Sequence, residues 1–379
     1  MPYGQIQVDT VKDSLNNTFA PASSVFRNRI INGQFQISQY NGTSSVTPVD
    51  SAVVYVIDRW ATYATAASKI SYQQNAGSVT PPTGFTNYLG ATSLSAYTVV
   101  SSDLFQLQQR IEGFNVSDLG WGTANAKTVT LSFQVYSSLT GTFGGSLRNS
   151  ASNRSYPFSY TISSANTWTT ISLTIVGDTT GTWLTTNGIG ISVTWGMGVG
   201  STYSGTAGSW SANNYASATG ATSVVGTSGA TFYITGVQLE VGTNATNFDY
   251  RPYGTELALC QRYCYQINSD NASNGGGTGL TGVGNGSTSA GLSRAQTSIP
   301  TMRTSPTLTL SNVSTNGTDL RAYNGSVVSN VTGLVNNFCT TNALQLDANT
   351  GSAYTVGNAL TVLWQNSING GYIRLTAEL

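Results

Sequence analysis

Short runs of alternating apolar and polar residues, each cut off by glycine, asparagine or serine, constrain this chain most. In VTLSFQVYS, Val129, Leu131, Phe133 and Val135 alternate with Thr130, Ser132 and Gln134. A period of two puts one set on a buried face and the other toward solvent. Strand patterns also occur at VVYVID (53–58), SKISYQQ (68–74), LSAYTVV (94–100), LFQLQQRI (104–111), YPFSYTI (156–162), WTTISLTIV (168–176), IGISVTW (189–195) and ATFYITGVQLEV (230–241). Strands this short and this frequent predict an all-β chain whose main domain is a two-sheet antiparallel jelly-roll β-sandwich.

Composition agrees with that class. Only 8% of the 379 residues are charged, against roughly 25% in an average globular protein. Polarity comes from Ser, Thr, Asn and 42 Gly, which supply turns. A hydrophobic content of 39% and an aromatic content of 10% leave enough to bury, which argues against disorder. The 15 basic and 15 acidic residues balance, so the chain has no electrostatic footprint for a phosphate backbone or an anionic membrane. Neither nucleic acid nor membrane is expected as a partner. MPYGQIQVDTVKDS lacks the basic and apolar regions of a secretory signal, and no apolar run approaches the ~18 residues of a membrane span. Synthesis in a cytoplasm without export by that route is expected. A weakly charged surface also implies that neighbours cover much of it.

With no His in the chain, there is no imidazole base, and neither G-x-S-x-G nor a metal-spaced cluster occurs. Cys260 and Cys264 read as buried small hydrophobes. The expectation is no catalytic residue, no metal and no cofactor. Two carboxylates among Asp58, Asp103, Glu112, Asp118, Asp178 and Glu240 would be needed for a glycosidase, but most sit in turns or beside strands, where Asp caps loops.

Four segments are expected. Residues 1–26 are a polar arm without a core of its own. Residues 27–253 form the jelly roll. Residues 254–267 are a linking helix, with Thr255 as cap, Glu256 in the first turn and Leu257, Cys260, Tyr263, Cys264 and Ile267 at helical spacing. Residues 268–379 open with a Gly/Ser/Asn tract and continue as a second, smaller β domain.

Two segments carry a resemblance. RIINGQFQISQ followed by DRW, and FYITGVQLEVGTNATNFDYRPYGTELALCQRY, resemble the opening and closing parts of a domain that recurs in tail-fibre and other virion proteins of bacteriophages. More loosely, they are similar to jelly-roll carbohydrate-binding modules. Asn32, Gly33 and Phe35 match an N-G-x-F pattern in the first strand, and Gly236, Val237, Gln238, Leu239 and Glu240 match G-V-Q-L-E in the last. The resemblance covers about residues 27–265. It implies a non-enzymatic virion protein, made in the host cytoplasm, with an arm that meets other virion proteins, a homotrimeric assembly and a host surface glycan as ligand. A tail-fibre or other receptor-binding role and a decoration, head-fibre or connector role both fit.

Most of the 7 Trp and 20 Tyr read as core, Trp60, Trp168 and Trp195 among them. GVGSTYSGTAGSWSANNYASATG is different, because Tyr203, Trp210 and Tyr215 stand among small polar residues. With Asn213 and Asn214 they are candidates for a saccharide platform or for a subunit contact. Trp121 and Trp183 are weaker cases of the same kind. Glu240, Asp249 and Arg251 lie just past the last jelly-roll strand and read as a structural joint tying it to the helix.

Overall fold

The computed structural model describes residues 26–268, 280–281, 292–311, 320–323, 328–350, 361–364 and 372–379, with the short pair Val11–Lys12 and Thr18–Phe19. The rest of the arm and most of the Gly/Ser/Asn tract lie outside the described residues. The chain divides into two compact units, Met1–Glu256 with Leu379, and Leu257–Glu378.

The first unit is a jelly-roll β-sandwich. Its front sheet has six strands in the order Ser155–Ile162, Gly141–Arg148, Ile189–Val199, Leu104–Glu112, Trp60–Ala64 and Val53–Ile57. Its back sheet has five, in the order Thr169–Ile175, Val129–Ser137, Thr231–Val241, Leu89–Ser93 and Ile70–Gln74. All neighbours within these two sheets run antiparallel. Phe35, Trp60, Trp195 and Phe133 are buried between the sheets, with successive ring centroids 4.8, 5.6 and 5.5 Å apart. The alternation read from VTLSFQVYS places Val129, Leu131, Phe133 and Val135 in this core.

Three strands, Trp60–Ala64, Leu89–Ser93 and Gly141–Arg148, carry no signal in the sequence reading. Small residues are the reason. A Cβ on Gly145 would come 2.2 Å from the Thr194 carbonyl oxygen, and one on Gly90 would come 2.8 Å from the Tyr233 ring. Close approach selects glycine there against its weak strand propensity. Conversely LSAYTVV is a strand only in pattern. Apart from Leu94 and Ser95, which are bends, residues 94–100 have no regular structure, and Tyr97 N–H donates to the Val225 carbonyl at 2.8 Å.

The two segments that carried the resemblance meet in space. Asn28 Nδ2 donates to the Val237 carbonyl at 2.9 Å, and its Oδ1 accepts from Leu239 N–H at 3.1 Å. Val237 N–H donates to the Gly33 carbonyl at 2.9 Å. Here the last strand bulges between Thr235 and Gln238, with Gly236 at a φ of 61°. Asn32 and Phe35 both stand at a φ of 57°, which asparagine tolerates and phenylalanine rarely adopts. The Asn32 amide holds that turn by donating to the Ile37 and Asp58 carbonyls at 2.8 and 3.0 Å, and Trp60 Nε1 donates to the Asn32 carbonyl at 3.0 Å. Phe35 is thereby driven onto Trp60.

The expected helix over 254–267 is shorter. It spans Tyr253–Gln261, and Cys264–Asn268 is a strand paired with Tyr372–Thr376. Tyr263 N–H closes a tight last turn onto the Cys260 carbonyl. After it, Cys264, Tyr265 and Ile267 bring β-branched and aromatic character that suits a sheet. In the second unit that strand shares a sheet with Thr307–Ser311, while Leu280–Thr281, Thr361–Trp364, Leu320–Tyr323, Val328–Cys339, Ala343–Thr350 and Leu292–Ser298 form another in that order.

Gly33 admits no side chain, because a Cβ there would lie 2.2 Å from the Val237 carbonyl oxygen. Gly33→Ala is expected to lower unfolding free energy by about 3 kcal/mol, the upper range for forced overpacking, as read by urea denaturation of the purified protein.

Candidate functional site

The outward face of the front sheet is polar. Along Leu104–Glu112, Phe105, Leu107 and Ile111 point into the core, and Gln106, Gln108 and Arg110 point the other way. Cross-strand pairing assembles them with distant residues. Arg110 is opposite Ser192, and Ser192 is opposite Arg148. Thr194 sits between Gln108 and Ser146 in the next row, and Gln106 is opposite Tyr63. The segment from Gly200 to Ala218 roofs part of this face. Ser155 and Ser211 exchange backbone hydrogen bonds at 3.0 and 2.8 Å, Ser155 Oγ donates to the Asn213 carbonyl at 2.6 Å, and Ala216 N–H donates to the Tyr203 carbonyl at 2.7 Å. Gly144 and Gly196 make room beneath it, since a Cβ on either would come 2.5 or 2.8 Å from Ser217 Oγ.

Between roof and sheet lies a groove of about 300 Å³. Tyr63, Gln106, Gln108, Arg110, Arg148, Asn149, Tyr203 and Asn214 are among the residues that line it. Arg148 is 6% exposed. It donates to Asn214 Oδ1 and Gln106 Oε1, each at 2.9 Å, and to Thr194 Oγ1 at 3.3 Å. All three acceptors are neutral. Burial, with the Arg110 charge nearby, pulls its guanidinium down to about 10. A base whose folded pKa lies below its unfolded value costs stability at neutral pH, and the cost is relieved only as pH rises through 10. Arg148 Nε and Gln108 Nε2 are buried without a protein partner among the described residues. Each such donor costs about 1–3 kcal/mol. Arg110 Nη1 donates to the Leu379 carbonyl at 2.6 Å. Asp103, next to the groove-lining Leu104, accepts from Thr65 Oγ1 and from Val100 N–H, each at 2.8 Å.

The structure divides the residues singled out from the sequence. Tyr203 and Asn214 line the groove. Tyr215 lies against Gly205, and its hydroxyl accepts from Asn213 Nδ2 at 3.2 Å. Trp210 corrects the reading of an aromatic with nothing to bury it. It is half-buried, with ring centroids 5.3, 5.4 and 5.2 Å from Trp121, Trp183 and Tyr156, and its Nε1 donates to the Val176 carbonyl at 2.8 Å. Trp121 and Trp183 are themselves buried. Small residues on either side of Trp210 obscured partners that lie 27 to 89 positions away.

The joint is also differently wired. Arg251 pairs with Glu256 at 3.3 Å and donates to the carbonyls of Ile30 and Asn28. Glu240 instead accepts from Gln238 Nε2, Thr246 N–H and Thr246 Oγ1 at 2.8, 2.8 and 2.7 Å. It caps the turn after the last strand and does not join Arg251. Asp249 accepts from Asn28 N–H at 3.2 Å. All three residues thus secure the end of the sandwich, two of them against the incoming chain.

A second hollow, about 380 Å³, opens on the back sheet beside Phe85, Phe248 and Tyr250. Those rings pack on one another at 4.9–5.7 Å. Among the described residues no unpartnered buried polar group lines it.

No protein-family model and no curated protein sequence matches the chain. Among solved structures it is similar to the enzymatically active domain of tailspike protein 4 of bacteriophage CBA120, with 12% identity over 58% of this chain and 22% of that one and a TM-score of 0.30. The chain thus spans about a fifth of that domain. It is also similar to a family 4 carbohydrate-binding module, with 14% identity over 56% of this chain and 98% of the module and a TM-score of 0.30. A family 11 carbohydrate-binding module from Clostridium thermocellum, in complex with a β-1,3-1,4-mixed-linked tetrasaccharide, matches at 15% identity over 55% of this chain and 99% of the module, with a TM-score of 0.26.

Trp210→Ala is expected to destabilise the first unit by about 2 kcal/mol through lost burial and edge-to-face contacts. Trp210→Phe should recover part of that loss in thermal melts. An unchanged melting temperature in Trp210→Ala would mean that the ring is not structural.

Proposed function

We propose that this chain is a non-enzymatic structural protein of a bacteriophage virion, of the tail-fibre or fibre type, whose jelly-roll unit holds host surface glycan in the groove over the front sheet. The groove carries the binding half of this reading. Saccharide hydroxyls need a dense set of fixed hydrogen-bond groups and an aromatic beside them. Gln106, Gln108, Arg148 and Asn214 with Tyr63 and Tyr203 provide both on a rigid sheet under a tethered roof. The virion half rests on the resemblance of RIINGQFQISQ and FYITGVQLEVGTNATNFDYRPYGTELALCQRY to phage virion domains. In this reading residues 1–26 dock the protein on other virion proteins, and the assembly is a homotrimer.

Tyr203→Ala is expected to weaken adsorption of the isolated protein to host cells roughly tenfold, the worth of one aromatic contact, with no change in melting temperature. Normal adsorption would remove the groove from the account and leave an assembly role. Deleting residues 1–26 should leave a folded oligomer that no longer enters particles, as scored by gel analysis of purified virions. Particles that incorporate the truncated protein would reject the docking arm.

A further inference from the structure

The groups left unsatisfied in the groove are of one kind. Arg148 Nε and Gln108 Nε2 are both donors, and among the described residues no Asp or Glu lines the groove. Arg148 and Arg110 flank Ser192 on neighbouring strands, about 10 Å apart at their backbones from the interstrand spacing. The acceptors that Arg148 does reach belong to Asn214, Gln106 and Thr194, which carry no charge. A cation kept in a desolvated floor beside a second cation is a standing cost to the fold. Arg148 joins Gln106 and Thr194 on neighbouring strands to Asn214 in the roof, which Ser155 also tethers. A neutral sugar hydroxyl brings a donor along with its acceptor lone pairs, and no charge. A carboxylate brings two acceptor oxygens, no donor, and the missing charge.

We propose that the groove selects an acidic saccharide, whose carboxylate is received by Arg148 Nε and Gln108 Nε2 in the field of Arg110. This specificity rests on the glycan-binding reading of the same groove. Tyr203 and Tyr63 then flank the sugar ring that bears the acid, and the roof segment fixes its position through Asn214.

The test uses the purified full chain on an array of saccharides bearing uronate, sialate, sulfate ester or phosphate, each beside a neutral counterpart. Retention is expected on carboxylated saccharides, with neutral counterparts bound roughly tenfold more weakly or worse. Arg148→Met should abolish that preference while melting at the same temperature or higher, because it removes an unpaired buried charge. If Arg148→Met fails to fold, Gln108→Leu, which leaves Arg148 and its neutral partners in place, should weaken carboxylated ligands alone. Equal retention of acidic and neutral forms overturns the acidic preference and leaves the groove as a neutral glycan site. Retention confined to sulfate or phosphate esters overturns the carboxylate. Unchanged carboxylate binding in the folded variants assigns Arg148 and Gln108 a structural role only and overturns the proposal. Binding to no saccharide of any class overturns the glycan-binding reading as well.

Discussion

The sandwich is closed by backbone laid on backbone where residues 28–33 run beside Val237 and Leu239. The approach at Gly33 leaves no room for a Cβ, so backbone meets backbone there through Val237 and Gly33, and the Asn28 side chain adds a hydrogen bond to each of Val237 and Leu239. Everything nearby serves that seam. Asn32 fixes the turn, and Arg251 reaches the carbonyls of Asn28 and Ile30 while paired with Glu256. The left-handed Phe35 is spent on the aromatic column that runs through Trp60 and Trp195 to Phe133. A strained turn of this kind persists only where its surroundings over-determine it, and here the core ring, the amide and the bulged last strand all do so.

The groove shows the opposite economy. The floor under the 200–218 segment retains two donors with no protein acceptor, Arg148 Nε and Gln108 Nε2, and a guanidinium with neutral partners only. Such groups are expensive in a folded chain. Their rigidity comes from the sheet. Arg148, Ser192 and Arg110 are fixed by strand register, so the charge pattern needs no loop rearrangement to form.

How much of this was legible follows from the range of each interaction. Alternation is local, and Val129, Leu131, Phe133 and Val135 gave away their face without knowledge of any partner. Glycine-bearing strands such as Gly141–Arg148 were hidden, because the reason for Gly145 is the Thr194 carbonyl almost fifty residues on. Trp210 was misjudged for the same cause, its three aromatic neighbours all being remote in sequence. Glu240 and Arg251 were grouped because they are close in the chain, yet Glu240 turns to Thr246. Arg148 in GGSLRNS carried no signal of its own. One was available in LFQLQQRI, where the outward series Gln106, Gln108, Arg110 is too polar and amide-rich for a face that only meets water, and it pointed to the strand neighbours that had to be found.

The seam between the first and last parts of the sandwich also sets a clock. Asn28 and Val237 are 209 residues apart, so the first of them leaves the ribosome long before the second exists. At the usual pace of about 5–20 residues per second the interval is roughly 10–40 s. Throughout it, Phe35 and the strands at 53–64 have no last strand to close against. A nascent chain in that state exposes unpaired sheet edges and aromatic surface, and its yield in the cell depends on what shields them until Val237 emerges.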